Sequence, residues 1–354
     1  MRKSRIEVRR LNHLLQTFKY EVKRHFILWS SAVFLIFFVF VGLFAYLIIP
    51  DNSQNANTQI LSYSLLPKHS KRLVAYAGVE KKSGNMWIGY TYSGMVLPVS
   101  EYYQQSDKWI IQYAGKTDTL LNVHIKECYF RWGTDKYGRD VLSRMLLSAR
   151  TSLLIGFLSM LIATTVGVVL GLYSGYYGGW IERFLLWFIN VFWAIPSLLV
   201  IIGISFAMGK GFNTIFIALG LTLWVSTARA VRGQVLAIKE LEFIQAARAL
   251  AYPTYRILYW HILPNLWSVI IVYSTETFAN AILMEAGLSF LGLGIQPPTP
   301  SWGNMLKEGV YYFTSREYAH LAWYPGVAIM MVVLCFNLLA NGLRDRLDVK
   351  FKFY

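Results

Sequence analysis

The chain has 354 residues, 55% of them hydrophobic and 15% charged, with a formal net charge of +15. That balance places it among polytopic membrane proteins, because ordinary soluble domains do not carry several uninterrupted apolar runs of this length. The basic excess reads as membrane-flanking charge that orients a helix bundle, and nucleic acid is excluded as a partner because no zinc-finger, recognition-helix or stacking pattern accompanies it.

Residues 1–25 predict a basic amphipathic helix along the inner leaflet. They are too polar and too long for the n-region of a signal peptide, and the apolar run after them is too long for an h-region. A first transmembrane segment follows over 26–50, with its span from Ile27 to Ile49, closed by Pro50. Residues 51–130 are expected outside the membrane as a small β-rich insert. From Arg72 to Ile125 the stretches RLVAYAGV, NMWIGYTYSGMVLPV, KWIIQYAG and TLLNVHI are aromatic and β-branched, punctuated by Gly, Ser, Asp and Lys, and each reads as a strand. The insert serves either to dock a binding protein or as a packed decoration. Cys128 lies in this polar region and Cys335 in an apolar run. Their different membrane depths predict neither a disulfide nor a metal site.

A core with five further spans is expected over 131–345. It opens on the polar turn holding Asp135, Arg139 and Asp140, whose charges can pair with each other or cap the next helix. The same residues also suit a gate or contact site on the outer face. The second span runs from Thr151 to Leu172, and Gly167, Gly171 and Gly175 recur every fourth residue, the spacing of close helix crossings. The third runs from Phe184 to Met208 with a kink at Pro196, and the fourth from Thr214 to Ala230.

Next comes EFIQAARALAYPTYRILYWHILP, within a cytoplasmic loop over 240–264. Glu242, Ala246, Ala247 and Leu250 recur at helical spacing, and the small residues at 246 and 247 leave room for a partner surface. Tyr252–Pro253 breaks the first helix, Pro253 suits the first turn of a second, and Pro264 is expected to end that second helix before span five. The result is a helix–turn–helix held at both ends by spans, rigid enough to transmit a push.

Span five runs from Leu266 to Leu288 and contains Glu276 and Glu285. Acids inside a membrane point to function, and Glu276, with Asn280, is the candidate for lining a path, whereas Glu285 is placed to bond the external loop. The run from Gln296 through Pro297 and Pro298 to Ser301 cannot be helical and predicts a stiff external loop. Span six runs from Leu321 to Leu343, and 346–354 form a cytoplasmic tail. Each span approaches the roughly 20 residues that a helix needs to cross the bilayer. Arg2, Lys3, Arg5, Arg9, Arg10, Lys19, Lys23 and Arg24 precede span one, and Arg344, Arg346, Lys350 and Lys352 follow span six. Both termini are therefore expected in the cytoplasm, with Arg229, Arg232, Lys239, Arg248 and Arg256 on the same side. No catalytic constellation, phosphate-binding Gly-Lys-Ser/Thr loop or zinc-type histidine pairing is visible.

The 242–264 stretch resembles the cytoplasmic "EAA" loop of ABC-importer permeases. Two further segments, RWGTDKYGRDVLSRMLLSARTSLLI from Arg131 and EAGLSFLGLGIQPPTPSWGNML from Glu285, resemble signature stretches of the dipeptide/oligopeptide/nickel importer permeases, specifically the C-type member of the permease pair. The resemblance covers about residues 130–345 and span one, but not 51–127. The family's loop pattern is Glu-Ala-Ala, three residues, Gly, nine residues, a hydrophobic residue, one residue, then Leu-Pro. This chain matches it at Ala246, Ala247, Leu263 and Pro264, and departs at Gln245, Ala251 and His261. Gln245 keeps the size of the acid without its charge, and Ala251 in a left-handed turn costs roughly 1 kcal/mol relative to Gly.

The resemblance implies an all-α polytopic protein with six transmembrane helices of the type I importer kind, in a prokaryotic cell membrane. It implies ATPase coupling through Glu242, Gln245, Ala246, Ala247, Arg248, Ala251, Pro253, His261, Leu263 and Pro264. It implies an outer gate or binding-protein contact at Asp135, Arg139, Asp140, Gln296, Pro297 and Pro298. The expected partners are a second permease subunit, forming a heterodimer, two ABC ATPase subunits, an extracytoplasmic solute-binding protein and membrane lipid. No cofactor is expected on this chain, since ATP and Mg would sit on the ATPase subunits. The implied cargo is short peptides, with nickel chelates or other small solutes as the alternative. A stand-alone secondary transporter is the reading from a different class, and it leaves the 240–264 loop unexplained. A membrane-anchored sensor would need a larger cytoplasmic domain. An acidic residue at Ala247 is expected to abolish ATPase docking.

Overall fold

A computed structural model describes residues 26–85, 87–105, 108–113, 116–120 and 123–348. The helix expected over 1–25 and residues 349–354 of the tail lie outside the described residues. Helix α1 (Phe26–Leu43) and a short α2 (Ala45–Ile48) form the first apolar rod. Helices of varied length follow the insert: α3 (Val141–Tyr176), α4 (Gly179–Ala194), α5 (Ser197–Met208), α6 (Phe212–Ile238), α7 (Glu242–Ala249), α8 (Thr254–Arg256), α9 (Trp267–Phe290), α10 (Trp302–Val310) and α11 (His320–Asp348). Among the described residues, five helical stretches are long and apolar enough to cross a membrane, or six if the bent α4–α5 pair counts as one span.

The third predicted span is not one kinked helix. Its halves meet at 89° across Pro196, which has no N–H to give and whose ring collides with the preceding turn. Polar ties hold α4 across α6. Arg232 pairs with Glu182 at 2.5 Å, Arg229 donates to Asn190 at 2.7 Å, and the Arg229 guanidinium lies 3.8 Å from the Trp193 ring centre. The second span is longer than expected, because Asp140 caps it eleven residues before Thr151 by accepting from the Ser143 N–H at 2.8 Å.

Helix α3 runs along α6 through the glycine stripe. A methyl group at Gly167, Gly171 or Gly175 would stand 2.6–2.7 Å from Thr227, the Ala228 carbonyl and Val235 respectively. Those helices therefore touch backbone to backbone. Helix α9 wedges against α3, α6 and α11, with Phe278, Ile282 and Trp302 at the centre of one apolar cluster and Ile155, Ile215 and Leu288 in another.

Between α2 and α3, six strands make two three-stranded antiparallel sheets ordered β2-β1-β6 and β3-β4-β5. They are β1 (Ser70–Asn85), β2 (Gly89–Val99), β3 (Glu101–Gln105), β4 (Lys108–Tyr113), β5 (Lys116–Leu120) and β6 (Val123–Phe130). The sequence places strands here but misjudges three turns. NMWIGYTY contains the β1–β2 turn, β3 is an additional strand, and TLLNVHI divides between β5 and β6. Cys128 on β6 lies 3.8 Å from the Tyr76 hydroxyl, and burial pushes its thiol up. Cys335 is buried in the bundle.

Candidate functional site

Helix α7 lies across the end of the bundle opposite the sheets. Ile244 and Ala247 turn inward onto Leu172 of α3 and Val231, Val235 and Ile238 of α6, with Ile257, Leu258, Ile262 and Leu266 completing the cluster. Polar contacts reinforce that seat. The Arg248 guanidinium lies 5.1 Å from the Tyr176 ring centre, Tyr173 and Tyr259 hydroxyls are 3.2 Å apart, and Lys239 donates to the Gly175 carbonyl at 3.3 Å. Gln245 Nε2 donates to the Glu240 carbonyl at 3.1 Å, which ties α7 to the segment before it without a charge.

The turn after α7 is left-handed at Ala251, with φ of 53°. Its N–H reaches the Arg248 carbonyl at 2.9 Å and the Tyr252 N–H reaches Ala247 at 3.1 Å, the paired closure of a Schellman motif. The chain thus keeps this turn although it carries Ala where Gly is easiest. Tyr252 accounts for part of that, stacking on His261 with ring centres 5.8 Å apart and holding the Arg256 guanidinium 4.4 Å from its own. His261 is therefore a stacking partner of the turn.

Two expectations need correction here. Ala247 does not open to a partner, since it is buried in the chain's own cluster. An acid there would break that packing, so the test of a docking surface moves to the exposed Ala246. Pro264 does not end the second helix. The backbone widens to a π turn over Ile257–Ile262 and tightens to 3₁₀ over Leu263–Leu266, so a helical path continues from Thr254 to Phe290. The wide turn takes up the residue whose carbonyl the proline ring would otherwise strike. Pro253 caps this path at its start, with φ of −64°.

The outward face of α7 presents Phe243, Ala246 and Leu250 at i, i+3 and i+7, all exposed, with Glu242 and Gln245 beside them. Tyr255, Tyr259 and Trp260 are exposed on the following turns. Phe243 lies outside the residues expected from the sequence, although its spacing from Ala246 and Leu250 puts it on their face.

At the sheet end the candidate gate residues behave otherwise. Asp135 Oδ2 pairs with Arg139 Nε at 2.6 Å, and Arg139 Nη2 pairs with Glu308 of α10 at 3.0 Å. Arg144 lies behind them, 3.8 Å from the same Asp135 oxygen. Asp140 is spent on capping α3, and burial pushes its carboxyl up against the opposing bonds from Ser143. Gln296, Pro297 and Pro298 are exposed on a loop without regular structure. The structure does not bring them into the charged cluster. Glu308 and Arg144 complete that cluster. The sequence carries no signal for Glu308, because 169 residues separate it from Arg139, whereas Arg144 stands little more than one helical turn after Arg139 and is within reach of a spacing argument. The loop is anchored instead through Ser301 and Trp302. Ser301 caps α10, and the Trp302 indole donates to the Met145 carbonyl at 3.2 Å.

In the bundle interior, Glu285 is fully enclosed. Ser289 donates to it at 2.7 Å and Ser152 at 3.4 Å, which joins α9 to α3. Glu276 and Asn280 are one turn apart and both exposed. They continue the face of α9 that holds Ser268, Val269, Val272 and Tyr273. Those four residues, with Ala230 and Gln234 of α6 and Arg344 of α11, line a half-open cavity of about 210 Å³.

The chain matches the family described as "Binding-protein-dependent transport system inner membrane component" over residues 167–353. It is 41% identical over 220 residues to the glutathione transport system permease protein GsiD of Pectobacterium atrosepticum, covering 62% of this chain and 72% of that one. It is 42% identical over 221 residues to the dipeptide transport system permease protein DppC of Bacillus subtilis, covering 62% and 69%. The oligopeptide transport system permease protein OppC of Bacillus subtilis is 38% identical over 242 residues, covering 68% and 79%. Among solved structures, the inward-facing MetNI methionine ABC transporter aligns at 18% identity with a TM-score of 0.47, over 58% of this chain and 96% of that chain.

Proposed function

The chain belongs to the family of binding-protein-dependent transport system inner membrane components, and on that footing we propose how it works as the pore-forming permease subunit of an ATP-driven importer. It is a multi-pass membrane protein of a transporter complex. Its cargo is short peptides, the class that the named relatives share.

The observation that carries the mechanism is the two-sided character of α7. One side is sealed onto α3 and α6 by Ile244 and Ala247, while Phe243, Ala246 and Leu250 stand uncovered at the spacing of a helix that seats in a groove. The groove belongs to an ABC ATPase subunit in the cytoplasm, which sets both termini on that side and the two sheets outside. Two ATPase subunits, a second, non-identical permease and an extracytoplasmic solute-binding protein complete the assembly. Glu242, Gln245 and Arg248 form the polar rim. Closure of the ATPases moves α7, and the unbroken path through Thr254–Phe290 carries that movement to Glu276 and Asn280. A carboxylate on an uncovered face in mid-span does not face lipid, so this stripe lines the aqueous path or meets the second permease. Gln296, Pro297 and Pro298, uncovered on their own loop while the charges of Asp135 and Arg139 are taken up within the chain, are the contact for the donor protein.

The test is affinity purification of the full chain from gently solubilised membranes, followed by mass spectrometry. Stoichiometric recovery of a P-loop ATPase and a second six-span permease is expected. A chain that purifies alone and transports without ATP overturns the reading in favour of a secondary carrier.

A further inference from the structure

The turn between β1 and β2 sits against the sheet-end terminus of α1. Asn85 closes it by accepting from the N–H groups of Trp87 and Ile88 at 2.9 and 3.0 Å. The Trp87 ring lies 5.8 Å from that of Phe44, and the Trp87 carbonyl accepts from the Arg150 guanidinium of α3. Gly89 leaves no slack, since a methyl group there would stand 2.6 Å from the Tyr46 ring. On the far side, Tyr90 N–H bonds the Asn52 carbonyl at 3.0 Å. The hairpin is thus pinned at one height on the bundle.

That height is close to the sheet-end limit of the first apolar run. The run from Ile27 to Ile49 would rise about 35 Å as a helix, a little more than the ~30 Å hydrocarbon thickness, so Phe44 stands within roughly the last 8 Å of it. Gly42 packs against the Arg150 backbone, which puts the arginine at the same level, where a long cationic side chain can run along apolar surface toward the headgroups. The exposed side chains of α1 are apolar apart from Ser30, whose hydroxyl bonds the Ile27 carbonyl. Phe40, Leu43, Leu47 and Ile48 are each more than half exposed, and Trp87 (47% exposed) and Ile88 (54%) extend that apolar belt without a gap.

We propose that the β1–β2 turn is a lipid anchor, in which Trp87 and Ile88 insert into the leaflet at the sheet end of the bundle and Arg150 bonds both the turn and the headgroups. Lipid is the occupant because the patch continues a lipid-facing helix surface and combines an indole, an aliphatic side chain and a cation, the set that partitions to membrane interfaces. The anchor fixes the insert relative to the first span and so sets the orientation in which its sheets meet the aqueous phase.

The experiment places a nitroxide label at Ile88→Cys in the full chain with Cys128→Ser and Cys335→Ser, together with whatever partners co-purify, in phosphatidylethanolamine/phosphatidylglycerol nanodiscs. The expected collision rate is several-fold higher with oxygen than with a water-soluble nickel chelate, matching a label at Phe40→Cys. A label that favours the chelate, like one at Lys126→Cys, shows a turn in water and overturns the anchor. A label shielded from both reagents shows a protein partner on the patch and overturns it equally. Where Ile88→Cys does not reach the membrane, Trp87→Cys gives the same three outcomes.

Discussion

The two ends of the bundle solve opposite problems. At the sheet end, Asp135, Arg139, Arg144 and Glu308 neutralise one another in a buried cluster that joins the turn before α3 to α10. At the other end, α7 is seated by an apolar cluster, with Arg248 against the Tyr176 ring and no ion pair among the described residues of the seat, and leaves Phe243, Ala246 and Leu250 uncovered. Buried ion pairs are directional and costly to separate, so they suit a junction that stays fixed. Apolar seating is tolerant of small sliding, and an uncovered apolar stripe is poised for a second surface. One end of this molecule is built to hold its shape and the other to receive force.

The largest test of that contrast is Arg139→Met, which removes the nearest counter-charge of both Asp135 and Glu308 and leaves Asp135 only Arg144 at 3.8 Å. A loss of about 3–5 kcal/mol is expected, read as a large fall in melting temperature by fluorescence-detected gel filtration. An unchanged melting point means the cluster does not hold the junction. At the other end, the double substitution Phe243→Ala and Leu250→Ala should leave melting of the isolated chain unchanged. It should weaken ATPase association by about 2 kcal/mol or more, roughly thirty-fold, in a pull-down titration. If melting falls while association persists, the stripe is structural and the contrast fails. Gly171→Val probes the shaft between the ends. Forcing α3 from α6 should cost about 1–3 kcal/mol and slow transport, and full stability would show that the crossing is loose. The smallest effect is expected from Ala251→Gly, which relieves a left-handed alanine and should raise stability by up to about 1 kcal/mol with transport retained. A fall in stability would mean that the Ala251 side chain contributes contacts of its own.

The sequence reads well where chemistry is local. Apolar runs of adequate length disclose the spans, the four-residue glycine spacing discloses the α3–α6 crossing, and Pro196 marks the α4–α5 break. The 89° angle is not legible, because it depends on Arg229 and Arg232 of α6 reaching Asn190 and Glu182. The β1–β2 turn escaped notice because Trp87 and Ile88 are strand formers by type, placed there by a surface the sequence does not display. Ala247 is hard to place for a similar reason. Helical periodicity groups residues onto faces, but which face meets the bundle depends on where Leu172 and Val235 stand. Pro264 was read as a stop because a proline's usual effect assumes α-helical spacing on its N-terminal side, and the π turn removes that assumption. Arg139 and Glu308 carry no mark of one another.

That π turn has a consequence for how the chain varies. Over Ile257–Ile262 it holds one residue more than an α-helical path needs, an insertion absorbed without a break. Each residue of an α-helix turns the chain by about 100°, so an extra residue in a helix that stays α would rotate everything downstream. The wide turn takes it up within its own circumference, and deleting a residue there would close the turn to α spacing and leave Glu276 and Asn280 on the face that continues the cavity lining. Length in this short stretch is thus free to change by a single codon without altering which side of α9 faces the path.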